Sequence, residues 1–232
     1  MRRVLLTGAN RGIGLEFARQ LLAGGDRVIA ACRHPGQAGA LNALVGAHPN
    51  RLHVLPLDVA SERSRAELVK ELGLVTDGLD VLINCAGVLP SGERFGTVDG
   101  KSLADTFATN TIGPFTLAQA VAPLLAKGNS PRIANLSSVL GSITRTEAFR
   151  TPSYAISKSA LNMATVLLAR ALAEQGVLVV ALHPGWVRTD MGGKDAQVEP
   201  ADSVRGLLAV IASLDAQRSG QFFDYLGQPV PW

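Results

Sequence analysis

The stretch that most limits how this chain can fold lies near its amino end. Arg3-Val4-Leu5-Leu6-Thr7 is a short apolar run, and Gly8-Ala9-Asn10-Arg11-Gly12-Ile13-Gly14 follows it directly. Leu15-Glu16-Phe17-Ala18-Arg19-Gln20-Leu21-Leu22 then shows helical spacing and stops at Gly24-Gly25. This reads as a buried strand, a glycine turn and a helix in immediate succession. Glycines let a bound group approach the backbone, and the helix start offers free N–H groups and the positive end of its dipole. The spacing is G-x-x-x-G-x-G rather than G-x-G-x-x-G, so an ordinary strand–helix turn is the competing reading. Three glycines in seven residues at that junction favour a dinucleotide phosphate loop.

The same alternation continues. Arg27–Cys32, Arg51–Leu57, Gly78–Ile83, Pro131–Leu136 and Val177–Leu182 read as strands, with Gly220–Phe223 as the last. Helical patterns fill the gaps at Pro35–Ala47, from Ser61 to Leu72, at Ser102–Ala126, from the Tyr154 region to Glu174, and at Ala201–Leu214. Asn110 is a poor helix former in the middle of the third of these, and Gly113-Pro114 predicts a local break beside it. No composition break or internal repeat interrupts the series. The expected fold is α/β: a doubly wound parallel sheet of Rossmann type with about seven strands and helices on both faces. It forms a single domain over residues 1–232, with substrate loops near 88–101, 142–153 and 190–200.

Composition removes other classes. A hydrophobic content of 47% in 232 residues supplies one substantial core;. The net charge is +3 with the Lys and Arg scattered, and aromatics are 5%, so neither a basic patch nor a stacking platform for nucleic acid is present. No run of 18 apolar residues suggests a membrane span;. Arg2-Arg3 precedes too short an apolar run for a signal segment;. Cys32 and Cys85 form no CxxC, which fits a reduced, cytoplasmic chain;. His34, His48, His53 and His183 are isolated, so no metal site is expected;.

In such sheets a ligand sits beyond the carboxyl ends of the strands. Gly8, Arg33, Asp58, Asn84, Ser138 and Val187 all follow strand ends. Arg33 occupies the place where an acid would bind the adenosine ribose hydroxyls. Arg33 and Arg11 together suit charge-assisted forks to a 2′-phosphate, which predicts NADP(H) over NAD(H). A solvated arginine after a strand is the alternative. Asp58 is open to two readings, an acceptor for the adenine amino group or a turn residue. The small residues of Asn84-Cys85-Ala86-Gly87 leave room for a cofactor beside the backbone.

Tyr154 and Lys158 are four residues apart on a helix, so phenol and ammonium share a face;. An adjacent ammonium stabilises a phenolate and is expected to draw the tyrosine pKa down toward neutral pH. An amphipathic surface helix is the plain alternative. What favours chemistry is that the other singled-out residues gather at the same rim.

Taken together, Thr7–Gly14, Asp58-Val59, Asn84–Gly87, Asn110, Ser137-Ser138, Tyr154-x-x-x-Lys158 and Pro184-Gly185 resemble the short-chain dehydrogenase/reductase family in the family's order. Ala31–Arg33, Ser138–Ile143, Ser157–Asn162, His183–Gly193 and Pro231-Trp232 are most similar to its sniffer-type and C-factor-like carbonyl reductases. Cys85 departs from the family's usual Asn, and the gap from Ser138 to Tyr154 is longer than in many members. The resemblance implies a catalytic tetrad. Ser138 holds the substrate carbonyl oxygen and Tyr154 protonates it. Lys158 lowers the tyrosine pKa and holds the nicotinamide ribose, and Asn110 steadies a water linked to Lys158. It also implies cofactor contacts at Gly8, Asn10, Arg11, Gly12, Ile13, Gly14, Arg33, Asp58, Val59, Asn84, Ala86, Gly87, Tyr154, Lys158, Pro184, Gly185, Val187 and Thr189, with Thr189 at the carboxamide.

The expected activity is NADPH-dependent reduction of an aldehyde, ketone or quinone, reversible as an alcohol dehydrogenase. An apolar substrate wall of Val139, Leu140, Trp186, Leu89 and Met191 goes with it. A cofactor-binding signalling or sensor protein with vestigial turnover is the alternative. A serine hydrolase lacks its G-x-S-x-G elbow around Ser138;. As in many members of the family, the helices around Asn110 and Tyr154 offer a face for a homodimer or homotetramer, with a monomer as the other option.

Overall fold

The computed structural model describes residues 1–232. Seven parallel strands form one sheet: β1 (Arg3–Thr7), β2 (Arg27–Cys32), β3 (Leu52–Pro56), β4 (Val81–Asn84), β5 (Arg132–Leu136), β6 (Leu178–His183) and β7 (Phe222–Asp224). Their order is β3-β2-β1-β4-β5-β6-β7. The order reverses between β1 and β4, the switch point at which such sheets open a crevice. The helices are α1 (Gly12–Ala23), α2 (Gly39–Ala47), α3 (Glu62–Val75), α4 (Gly100–Phe107), α5 (Gly113–Leu125), α6 (Pro152–Ala171) and α7 (Pro200–Ala212).

The strands read as continuous apolar runs because both faces are covered. Side chains alternate, so Val4 and Leu6 enter a cluster with Phe17 and Leu21 of α1 and Leu207 and Ile211 of α7;. Leu5 faces the other way, onto Leu68 and Leu72 of α3, Leu117 and Val121 of α5, and Leu168 of α6. Burying a side chain of this size stabilises by about 1.5–3 kcal/mol.

Observed ends differ from expectation by a few residues. The helix expected from Pro35 begins as a 3₁₀ turn over Pro35–Gln37, and that expected to reach Glu174 closes as another over Ala173–Gln175. The break at Asn110 is a π-helical turn, Ala108–Ile112, between α4 and α5. Pro114 has no N–H, so the carbonyl of Asn110, four residues back, lacks its α-helical donor. The backbone widens there instead.

Candidate active site

A cleft of about 490 Å³ runs along the carboxyl ends of β1, β2, β4, β5 and β6. That volume lies in the range of sites that enclose a small ligand or cofactor. At its centre α1 begins behind Arg11, whose side chain makes no capping bond. Gly8 (φ 69°) and Gly12 (φ 54°) are left-handed, which only glycine adopts without strain;. A Cβ built on Gly8 falls 2.8 Å from the Ala86 backbone, and one on Gly14 falls 2.1 Å from the Gly8 carbonyl. The loop is therefore folded tightly on itself, with Gly12, Ile13 and Gly14 lining the cleft.

Arg33, Asp58 and Val59 line one end of the cleft. Arg33 is exposed and pairs with no carboxylate. Arg11 behaves differently from the expected partner of Arg33: it reaches the opposite wall and pairs with Asp190 at 3.1 Å. Asp58 does form the turn, its Oδ1 accepting from Ala60 N at 3.0 Å, and its exposed carboxylate still borders the cleft.

The other end gathers Ser138, Tyr154 and Lys158. Phenol and ammonium do share the predicted face, with Lys158 Nζ 5.5 Å from the Tyr154 ring centre. The expected direction of the tyrosine shift is not what this environment produces. Burial pushes the Tyr154 phenol up to about 12; the Ser138 hydroxyl offsets part of that rise and the Cys85 thiol adds to it. Lys158 does not pull it down because burial lowers that ammonium to about 8, so the lysine is already neutral over the range in which the phenol titrates;. Desolvation wins over the ammonium, and the phenol keeps its proton through neutral pH, as a donor to a carbonyl oxygen must.

Burial also lowers Lys158, from 10.5 to about 8. Between these values the unfolded chain holds a proton that the folded protein has released, so stability rises with pH across that window. Below about 8 the buried ammonium carries its full cost. A Lys158→Met variant has no such dependence. Its stability relative to the parent is expected to fall by up to roughly 3 kcal/mol between neutral pH and about 10.5. Denaturant melts at a series of pH values check this, and parallel curves for the two proteins would refute it.

Hydrogen bonds between β5 and α6 set the register of these groups. Asn135 Nδ2 donates to Thr165 Oγ1 at 2.9 Å, and Ser137 Oγ to Asn162 Oδ1 at 2.5 Å. Asn162 Nδ2 and Ser159 Oγ both donate to the Gly141 carbonyl. The Ser138–Gly141 turn thus rides on the helix that carries Tyr154. Asn162 ends the Ser157–Asn162 stretch one turn beyond Lys158, and the structure gives it a bracing role that the spacing does not assign.

Three predicted residues do not line the cleft. Asn84 is buried, and its Nδ2 donates to Asn135 Oδ1 at 2.8 Å, which makes it a brace between strands. Asn110 is fully buried: Oδ1 accepts from Val88 N, while Nδ2 donates to the Val88 carbonyl and to Ser157 Oγ. Both polar atoms of its side chain are engaged by protein groups, while its backbone carbonyl lacks an α-helical donor;. Val139, expected in the substrate wall, packs with Ala181, Phe222 and Val230 instead. Leu140, Trp186, Leu89 and Met191 do border the cleft.

Ala86, Gly87, Pro184, Gly185, Val187 and Thr189 line the wall, along with Asn10 and Ile13. Cys85 needs no side-chain partner, because its backbone N–H and that of Ala86 both donate to Thr7 Oγ1 at 3.1 Å. Gln37, Thr109 and Asp190 border the cleft as well; of these, only Asp190 lies in a stretch that the sequence singles out, His183–Gly193. The arrangement has a glycine-lined helix start in the middle, an arginine paired with no carboxylate at one end and a protonated phenol at the other. These residues fit a dinucleotide that carries a reactive ring.

Residues 2–200 match the family model for short chain dehydrogenases. The C-signal protein of Myxococcus xanthus is 45% identical over 157 residues, which cover 68% of this chain and 95% of that protein. The solved carbonyl reductase Sniffer of D. melanogaster is 38% identical with a TM-score of 0.95, and 100% of each chain is covered. The NADPH-bound carbonyl reductase from chicken fatty liver is 38% identical with a TM-score of 0.94, over 100% of this chain and 99% of that one.

Proposed function

The chain belongs to the short-chain dehydrogenase family of oxidoreductases, and from that premise we propose that it is an NADP(H)-dependent carbonyl reductase with Tyr154 as proton donor. One observation carries the reading: a protonated phenol, a serine hydroxyl and a buried lysine meet at the end of a cleft whose centre is the start of α1. When bound, reduced nicotinamide supplies the hydride. Ser138 Oγ–H orients the substrate carbonyl. Tyr154 Oη–H delivers its proton as charge develops on that oxygen, where a preorganised donor is worth most. The resulting phenolate lies beside the Lys158 ammonium, so the group that burial penalised gains its counter-charge at the moment it is needed. The Asn110 carbonyl, freed by Pro114, is the acceptor for a water that resupplies the proton through Lys158.

The mouth of the cleft is apolar at Leu89, Leu140, Trp186 and Met191, which favours a hydrophobic aldehyde, ketone or quinone. Gly8, Gly12 and Gly14 with Asn10 and Ile13 hold the pyrophosphate region, and Val187 and Thr189 the carboxamide. Arg33 holds the 2′-phosphate. Exposed Ile156, Met163 and Leu167 on α6, with Ile112 before α5, support a homodimer or homotetramer through these helices.

Steady-state oxidation of NADPH and of NADH over a carbonyl panel tests the proposal. NADPH is expected to be the better reductant. Arg33→Ala is expected to weaken NADPH binding by roughly tenfold to a hundredfold and to leave NADH nearly unchanged. Equal losses with both cofactors would remove Arg33 from the 2′-phosphate. NADPH binding without turnover of any carbonyl would favour the signalling or sensor reading.

A further inference from the structure

The helix that carries Tyr154 begins without a cap of its own. Thr151 stands before Pro152 with a left-handed φ of 40°, makes no side-chain capping bond, and leaves its buried Oγ1 without a partner. A Thr at that place ordinarily accepts from the first-turn N–H groups. Here the acceptor comes from 60 positions away, on the loop that follows β4. One oxygen of Glu93 accepts from Ser153 N at 3.2 Å, and the other accepts from Ser153 Oγ. A carboxylate there also meets the positive end of the helix dipole. Ser153 is fully buried and immediately precedes Tyr154.

The loop that supplies Glu93 is also a wall of the cleft, through Val88 and Leu89. Asn110 pins its first residue by holding both the N–H and the carbonyl of Val88. Farther out, Phe95 packs edge-on against Phe149 with ring centres 5.7 Å apart, joining this loop to the one that leads into α6. The Glu93–Ser153 clamp is thus the innermost of the bonds between the substrate loop and the proton-donor helix.

We propose that Glu93 is a positioning residue for Tyr154. Its carboxylate caps α6 from the substrate loop, so seating that loop over a substrate and aligning the phenol become one event. This rests on the reading of Tyr154 as the proton donor.

Glu93→Leu is expected to lower kcat roughly tenfold and to raise the KM for the carbonyl, because small displacements of a reacting group cost rate steeply. The Kd for NADPH, measured by fluorescence titration, should not change. Glu93→Gln can accept from Ser153 N and donate to Ser153 Oγ, and is expected to recover most of the rate. Ser153→Ala should slow the parent but add little to Glu93→Leu, since both remove one interaction. If Glu93→Leu does not fold, Glu93→Asp, one methylene short of Ser153, carries the same expectation. A Glu93→Leu or Glu93→Asp enzyme with the parent's kcat and KM would overturn the proposal. So would a Glu93→Gln enzyme as slow as Glu93→Leu, or NADPH affinity falling in step with kcat. Turnover retained by Tyr154→Phe would instead sink the proton-donor reading, whatever Glu93 does; an inactive Tyr154→Phe beside a fully active Glu93→Leu would sink the clamp alone.

Discussion

Tyr154→Phe is expected to lower NADPH-dependent carbonyl reduction by about a thousandfold or more, while NADPH affinity changes by less than about threefold. The substitution removes a single oxygen from a partly buried ring and leaves the ring itself in place. Lys158 keeps its bond to the Leu136 carbonyl, and the α1 start proposed to hold the phosphates lies elsewhere. Only the proton is lost. No other group of suitable chemistry is poised to replace it. The Cys85 thiol beside the phenol is itself pushed up to about 12 by burial and gives up its proton no more readily. Ser138 Oγ accepts from Leu140 N at 3.2 Å and has no base to draw its own proton away;. Single-turnover reduction with bound NADPH separates chemistry from binding. A variant that still turns over at a tenth of the parental rate would take Tyr154 out of the mechanism.

Gly14→Ala is expected to cost about 3 kcal/mol or more of stability and to weaken NADPH binding at least about a hundredfold. The new methyl would lie 2.1 Å from the Gly8 carbonyl oxygen and 2.8 Å from its carbon. Those are backbone atoms, which no rotamer change can move aside. Relief requires the loop to lift off the helix start, and that loop is the one proposed to hold the cofactor's phosphates. Gly46→Ala is the matched control. It lies inside α2 with nothing within 4 Å of the added methyl, so it is expected to stabilise by about 0.4–1 kcal/mol. Thermal melts and fluorescence titration read both outcomes. A Gly14→Ala protein as stable as the Gly46→Ala control would show that the loop has slack the structure does not suggest.

How much was legible depended on how local each signal was. The glycine loop, the strand series and the break at Asn110 come from neighbours within a few residues, and each appears where the spacing places it. Arg33 was readable for the same reason, since its position after β2 follows from chain order. Asn84 and Asn110 were harder. Their residue types suit a binding site, but their side chains are consumed by Asn135, Val88 and Ser157, none of which is close in the chain. Val139 is apolar like the rest of the expected substrate wall; in the turn after Ser138 it packs with Phe222 and Val230 while Leu140 borders the cleft. Chain order pairs Arg11 with Arg33, whereas the fold sets Asp190, 179 positions away, against Arg11.

By itself the amino-acid order determined that strands and helices must alternate, that the first turn must bring backbone close to a ligand, and that Tyr154 and Lys158 must share a helix face. Those are consequences of side-chain periodicity and of glycine's missing Cβ, and they hold over a turn or two of chain. Only the tertiary structure decided how the phenol and the ammonium titrate and what caps their helix. Burial is a property of everything packed around a group, and the carboxylate that meets Ser153 arrives from a loop that no local rule connects to it.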